Sequence, residues 1–208
     1  YTRPSDGLDL RAEALFLARL VHLLAPDQPE AEGCLALLLL TDGRANARIG
    51  PDGASVPPAE QDRSLWDHGA LEEGRGLVLR ALSLRAPGPF QIKAAIAACH
   101  AETPPDWPQI AALYGALLAY EDTPVIRLSR AVALGEVHGP AAALDAIAPL
   151  ADSLASFQPF HAVSAEFLAR AGHVERAKIV YDDAIMLTED PADRLFLIKR
   201  RARLEAAV

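Results

Sequence analysis

Four ionisable side chains and a tryptophan crowd the run Glu60-Gln61-Asp62-Arg63-Ser64-Leu65-Trp66-Asp67. Residues of these types can serve two kinds of chemistry. Carboxylates at a helix start accept hydrogen bonds from free backbone N–H groups and favour the positive end of the helix dipole. On that reading Asp62 is a cap, Asp67 supports the helix end and Trp66 is core. Alternatively, Arg63 and Trp66 are the side-chain types that dominate binding at protein interfaces, and the run is a docking site.

Catalytic patterns do not emerge elsewhere. The six histidines (His22, His68, His100, His138, His161 and His173) are scattered, with no i,i+4 partner and no nearby cysteine pair, so no metal spacing is present. The neighbours Glu72-Glu73 and Asp182-Asp183 point in different directions on a helix and suit solvent better than acid–base work. No P-loop, GxGxxG or GxSxG motif occurs. Gly74-Arg75-Gly76 lies inside a helical pattern, where its glycines suit close packing more than a phosphate cradle. A small-molecule sensor or an enzyme would have to draw on His100, Trp107 and Tyr114, in a pocket between helices. The expectation is a non-enzymatic chain with no cofactor.

The elements that position these residues are helices. The 208 residues are 51% hydrophobic, rich in alanine and leucine, and only 6% aromatic, with 16 prolines. Ala and Leu favour helix, and the prolines keep the helices many and short. Helices are expected at about 8–24, 29–48, from 61 to before Pro87, and at 90–101, 107–119, 124–136, 140–150, 158–171, 173–188 and 191–205. In the first, Leu8, Ala12, Leu15, Leu20 and Leu24 form an apolar stripe. Leu35, Leu38 and Leu39 are the inner residues of the second. Leu65, Trp66, Leu71, Leu77 and Leu82 are those of the third.

From residue 90 the helices pair as hairpins whose starts are 34 residues apart, the tetratricopeptide (TPR) period. The last pair carries the repeat signature best. Ala177, Tyr181 and Ala184 share one helix face, the alanines admitting a neighbour and the tyrosine filling the groove. Gly172 stands where the turn between the two helices needs a positive φ. In the middle pair Gly139 marks the turn, but Leu144 and Ala148 replace the small-then-aromatic signature. In the first pair Ile110, Tyr114 and Leu117 keep the spacing. The fold class is therefore all-α: residues 1–87 as an N-terminal helical subdomain, and 88–208 as TPR-like hairpins closed by a capping helix.

The net charge of −8 argues against a nucleic-acid footprint. The basic run Arg194, Lys199, Arg200, Arg201 and Arg203 reads as a solvated last-turn face. Cys34 and Cys99 read as free, buried thiols of a cytoplasmic protein. No membrane span or signal peptide is visible. The start at Tyr1 rather than Met suggests a piece of a longer protein.

Several strings carry a family resemblance: Pro26-Asp27-Gln28-Pro29-Glu30, Asp42-Gly43-Arg44-Ala45-Asn46-Ala47-Arg48, Gln61 to Asp67, Gly88-Pro89-Phe90-Gln91-Ile92-Lys93 running on to His100, Asp106-Trp107-Pro108-Gln109-Ile110, and Arg130-Ala131-Val132-Ala133. Together they make the chain resemble the C-terminal extension of extracytoplasmic-function sigma factors that carry a TPR-like domain behind two DNA-binding regions. The likeness spans nearly the whole chain. It departs at Glu60, where the family usually has Asp, and at Ser129, where Asn is usual. The resemblance implies a domain that regulates or supports sigma activity in place of a separate anti-sigma factor. Its implied partners are the sigma regions of the same protein and the RNA polymerase core. It also implies an interaction network of Asp62, Arg63, Trp66 and Asp67. Arg44 and Arg48 are expected to join it as charge partners, on the sole ground of their similar placement near helix ends. A general TPR adaptor that binds a separate protein remains the alternative.

Overall fold

Prolines and side-chain caps start most of the helices in the computed structural model, which describes residues 10–206. The helices are α1 (Leu10–Leu24), α2 (Pro29–Asp42), α3 (His68–Ser83), α4 (Pro89–His100), α5 (Trp107–Leu117), α6 (Pro124–His138), α7 (Pro140–Ile147), α8 (Gln158–Arg170), α9 (Val174–Leu187) and α10 (Pro191–Ala206). Proline occupies the first or second position of α2 and of α4 to α8, where its missing N–H costs no hydrogen bond. Thr123 caps α6 and Asp106 caps α5. No strand occurs among the described residues, only an isolated bridge between Ile49 and Ser55. None of the described helices is long and apolar enough to cross a membrane.

Helices adjacent in sequence pack as neighbours from α1 to α10, so the chain is an all-α solenoid. α4 with α5, α6 with α7, and α8 with α9 form the hairpins. α4 also packs against α2 and α3, so Ala94, Ala95 and Ala97 share a core with Leu35, Leu39, Leu40, Leu71 and Leu77. At the end of α8, Gly172 has φ +83° and its N–H bonds Ala169 O. The His173 N–H bonds Leu168 O, completing the Schellman motif that a glycine here permits. Gly139, with φ +92°, makes the turn into α7. On α9, Ala177, Tyr181 and Ala184 are buried, and the Tyr181 hydroxyl donates to Glu166 at 2.9 Å. Burial and the neighbouring Glu166 carboxylate push the Tyr181 phenol up.

Four expectations are corrected. The third helix starts at His68, because residues 63–65 form a separate 3-10 turn, and Leu65 and Leu82 lie on the outside. The second helix stops at Asp42, and residues 45–47 form a 3-10 turn. α1 meets α2 through Ala14, Leu15, Ala18 and His22, the side set by its single large neighbour, while Leu20 and Leu24 stay exposed. Leu8, the first residue of the expected stripe, lies outside the described residues. The basic run of α10 is also not wholly a solvated face: Lys199 and Arg200 pair with distant carboxylates and Arg201 with Asp182 and Glu205, while Arg194 and Arg203 are exposed. Gly74 does sit at a close approach, where a Cβ would come within 2.8 Å of Leu40, whereas Gly76 faces open space.

Two of those pairs help to join α10 to the loop between α2 and α3. The Ser55 N–H donates to Ala192 O at 3.1 Å, and the Ser55 hydroxyl donates to Asp193. Lys199 pairs with Asp52, and Arg200 with Glu60. The loop after α2 is thus clasped against α10.

Candidate interaction site

The segment from Asp62 to Asp67 is two caps in succession. Asp62 accepts from the backbone N–H and the hydroxyl of Ser64, at 2.9 and 2.7 Å. Those bonds hold its carboxyl below the usual range. Asp67 accepts from Ala70 N at 3.0 Å and so caps α3. Between the caps, the chain turns Trp66 inward until only 6% of it is exposed.

Arg63 covers the indole, its guanidinium carbon 4.6 Å from the ring centroid. The same guanidinium donates to the carbonyls of Ala101 and Glu102 at 3.1 and 2.9 Å, satisfying the end of α4. Arg44 approaches the ring from the loop after α2, at 5.9 Å. Asp67 N donates to Gly43 O at 2.7 Å and fixes that loop to the start of α3. Arg48 donates to Thr41 O at 2.6 Å. The structure therefore gathers Arg44, Arg63 and Trp66 around one ring, with Arg48 beside them.

The expected charge pairing does not form. Among the described residues neither Asp62 nor Asp67 makes an ion pair, because both carboxylates face backbone N–H groups. The guanidinium of Arg44 has no carboxylate partner there either. Its Nε reaches only Leu40 O at 3.3 Å, and its Nη1 is buried without a partner. Burial first, then the positive charges of Arg48 and Arg63, lower its proton affinity. His100, edge-on to Trp107 at 5.3 Å between centroids, feels the same cluster. Burial, and secondarily Arg44, bring its pKa down to about 4, so it is neutral at pH 7.

Beside the arginines lies a cavity of about 300 Å³, bounded by the 55–61 loop and by Asp193 and Phe196 of α10. His100, Trp107 and Tyr114 do not line it. Among the described residues no group of three His, Cys, Asp or Glu side chains could hold a metal ion.

Sequence reasoning missed two features. Glu30 of α2 caps α4 from outside, accepting from Phe90 N at 2.9 Å and Gln91 N at 3.2 Å. The strings Pro26–Glu30 and Gly88–Gln91 are thus two halves of one joint, and an unusual Gly-Pro start with no cap of its own was the available signal. The second feature is the outward side of α1. Phe16, Leu17, Leu20, Val21, Leu23 and Leu24 are exposed there, Leu23 and Leu24 by 74% and 75%. At 100° per residue these six fall on one side of the helix.

Residues 5–82 match a family of unknown function (DUF6596). An uncharacterized protein of Rhizobium meliloti (strain 1021) is 39% identical over 193 residues, which take in 91% of this chain and 46% of the relative. The chain spans about half the length of that curated relative. No solved structure matches. The family match takes in Glu30, α1 and the whole arginine–tryptophan cluster, and stops before the hairpins.

Proposed function

We propose that this chain is the non-enzymatic C-terminal regulatory domain of an extracytoplasmic-function RNA polymerase sigma factor. It works in the cytoplasm through contacts with the DNA-binding regions of its own protein, the polymerase core, or both. The observation that carries the reading is the uncovered side of α1. Six large apolar residues on one helix face form the kind of surface that marks a protein contact. α1 packs chiefly on α2 and forms the edge of the solenoid, where a further unit can stack.

Three observations agree with it. The strings that carry the sigma-factor resemblance are joints of the N-terminal half: Glu30 with Gln91, and Arg63 with Trp66 and Ala101. The relative is about twice as long as the matched stretch, which leaves room for promoter-reading regions in that protein. The net charge of −8 suits protein contacts better than direct binding to nucleic acid.

In vitro transcription with the full-length factor and with a form cut just before Tyr1 tests the proposal. A silent cut form restored by this chain in trans identifies a positive element. A more active cut form identifies a built-in inhibitor. Equal activity of the two forms overturns the regulatory role, and a full-length protein that initiates nothing with core polymerase overturns the sigma-factor assignment.

A further inference from the structure

We infer that the outward face of α1 docks a basic amphipathic helix, held by apolar packing and by a lysine or arginine set against Glu13. This rests on the reading of α1 as a contact surface. Along α1, Glu13, Phe16, Leu20 and Leu23 recur at intervals of three, four and three residues, the two seam positions of a heptad. Leu10, Leu17 and Leu24 follow at intervals of seven and line one flank. The seam is turned away from α2, because Ala14, Leu15, Ala18 and His22, the buried and half-buried residues, lie on the opposite side of the helix. All four seam residues are exposed, Phe16 by 59% and Leu23 by 74%. A heptad seam presents holes between its side chains that the knobs of a second helix fill. The 15 residues of α1 make it about 22 Å long, room for a partner helix of about four turns.

Glu13 decides the chemistry of that partner. It is an acid on an apolar seam, and its carboxylate makes no ion pair or hydrogen bond among the described residues. The basic residues of α1 are engaged elsewhere, Arg11 with Asp42 and Arg19 with Glu73. A purely apolar cover would strip water from the carboxylate and give nothing back, which is costly. A basic side chain opposite offsets that cost and fixes the register, as a single polar seam residue does in coiled coils. A second copy of the chain cannot supply it. Parallel pairing in register sets Glu13 against Glu13, and antiparallel pairing over the whole seam sets it against Leu23. An anionic lipid surface repels it too, together with Asp27, an exposed acid just beyond α1. Regions that bind DNA are rich in lysine and arginine, which places such a helix in the part of the protein that the proposed function assigns as partner.

Fluorescence anisotropy with the 208-residue chain at pH 7 and about 0.15 M salt tests this. The probes are three labelled peptides: LKKLLKLLKKLLKL and LEELLELLEELLEL, which share one helical pattern, and LKLKLKLKLKLKLK, whose alternation suits a strand. The basic helical peptide should bind, and the other two about tenfold more weakly or not at all. Glu13→Lys should reverse the order of the two helical peptides. Asp183→Lys, at an exposed acid on α9, should leave the order unchanged. Leu20→Asp with Leu23→Asp should abolish binding of the basic helical peptide while circular dichroism keeps the parent's helix content. If that double variant loses helix content, Glu13→Lys decides the matter by itself. An order of peptides that survives Glu13→Lys would show that Glu13 only favours the positive end of α1, and would overturn the inference. Equal binding of the three peptides would overturn it as well. So would a chain that sediments as a dimer and becomes a monomer with Leu20→Asp and Leu23→Asp, which assigns the face to a second copy. No polymerase enters the measurement. The expected peptide results beside a full-length protein that initiates nothing would support the helix dock and overturn only the sigma-factor reading.

Discussion

At the scale of single residues, the cluster around Trp66 concentrates positive charge in an acidic chain, and His100 registers it. Its imidazole has a folded-state pKa near 4, against about 6.5 when unfolded. The sign follows from linkage. A depressed histidine pKa means that the unfolded chain takes up the proton first. The stabilisation is therefore complete above pH 6.5 and is lost as pH falls towards 4. The loss across that window is expected to reach up to about 3 kcal/mol. Urea unfolding at pH 7 and pH 4.5 checks this. His100→Asn should flatten the pH dependence between those values, and an unchanged slope would remove His100 as its source. None of this was legible in the sequence, where His100 was one of six scattered histidines. Its pKa is lowered first by burial and only second by Arg44, 56 positions earlier in the chain.

At the scale of elements, helix starts were legible and helix faces less so. Pro124 with Thr123, Asp106 with Trp107, and the turns at Gly139 and Gly172 announce themselves through local chemistry, which sequence carries directly. The start of α3 was misplaced because Asp62 and Asp67 are both competent caps, five residues apart. The stripe on α1 was misassigned because periodicity reveals an apolar face but not the number of neighbours that cover it. The Glu30 cap escaped notice because its partner lies 60 residues away. Replacing these acids sorts their roles. Asp67→Ala removes a local cap and should cost about 1 kcal/mol. Glu30→Ala removes a charge-assisted pair of bonds at the N-terminus of α4 and should cost about 1.5–3 kcal/mol. Equilibrium unfolding in urea reads both, and a loss for Asp67→Ala exceeding that for Glu30→Ala would contradict the joint described between α2 and α4.

At the scale of the whole molecule, α10 is clasped to the loop between α2 and α3 by charged pairs at the surface. Such pairs are individually weak, about 0–1 kcal/mol, and are screened by salt. Glu60→Arg should destabilise the clasp slightly at low salt, and adding Arg200→Glu should restore it. Both effects should fade in high salt, and a restoration that persists there would argue against an electrostatic clasp. The basic run of α10 could not reveal this in sequence, since its partners lie about 140 positions earlier. The clasp leaves α1 as the apolar edge, and the central claim is that this edge is a contact surface. The most direct test is in vitro transcription with the full-length proposed sigma factor bearing Leu20→Asp and Leu24→Asp. A control carries Ile179→Asp and Met186→Asp on α9, also exposed apolar positions. On the proposed function, the α1 variant should match the form that lacks the domain and differ from the parent, while the α9 variant behaves as the parent. An α1 variant that transcribes like the parent would contradict the claim.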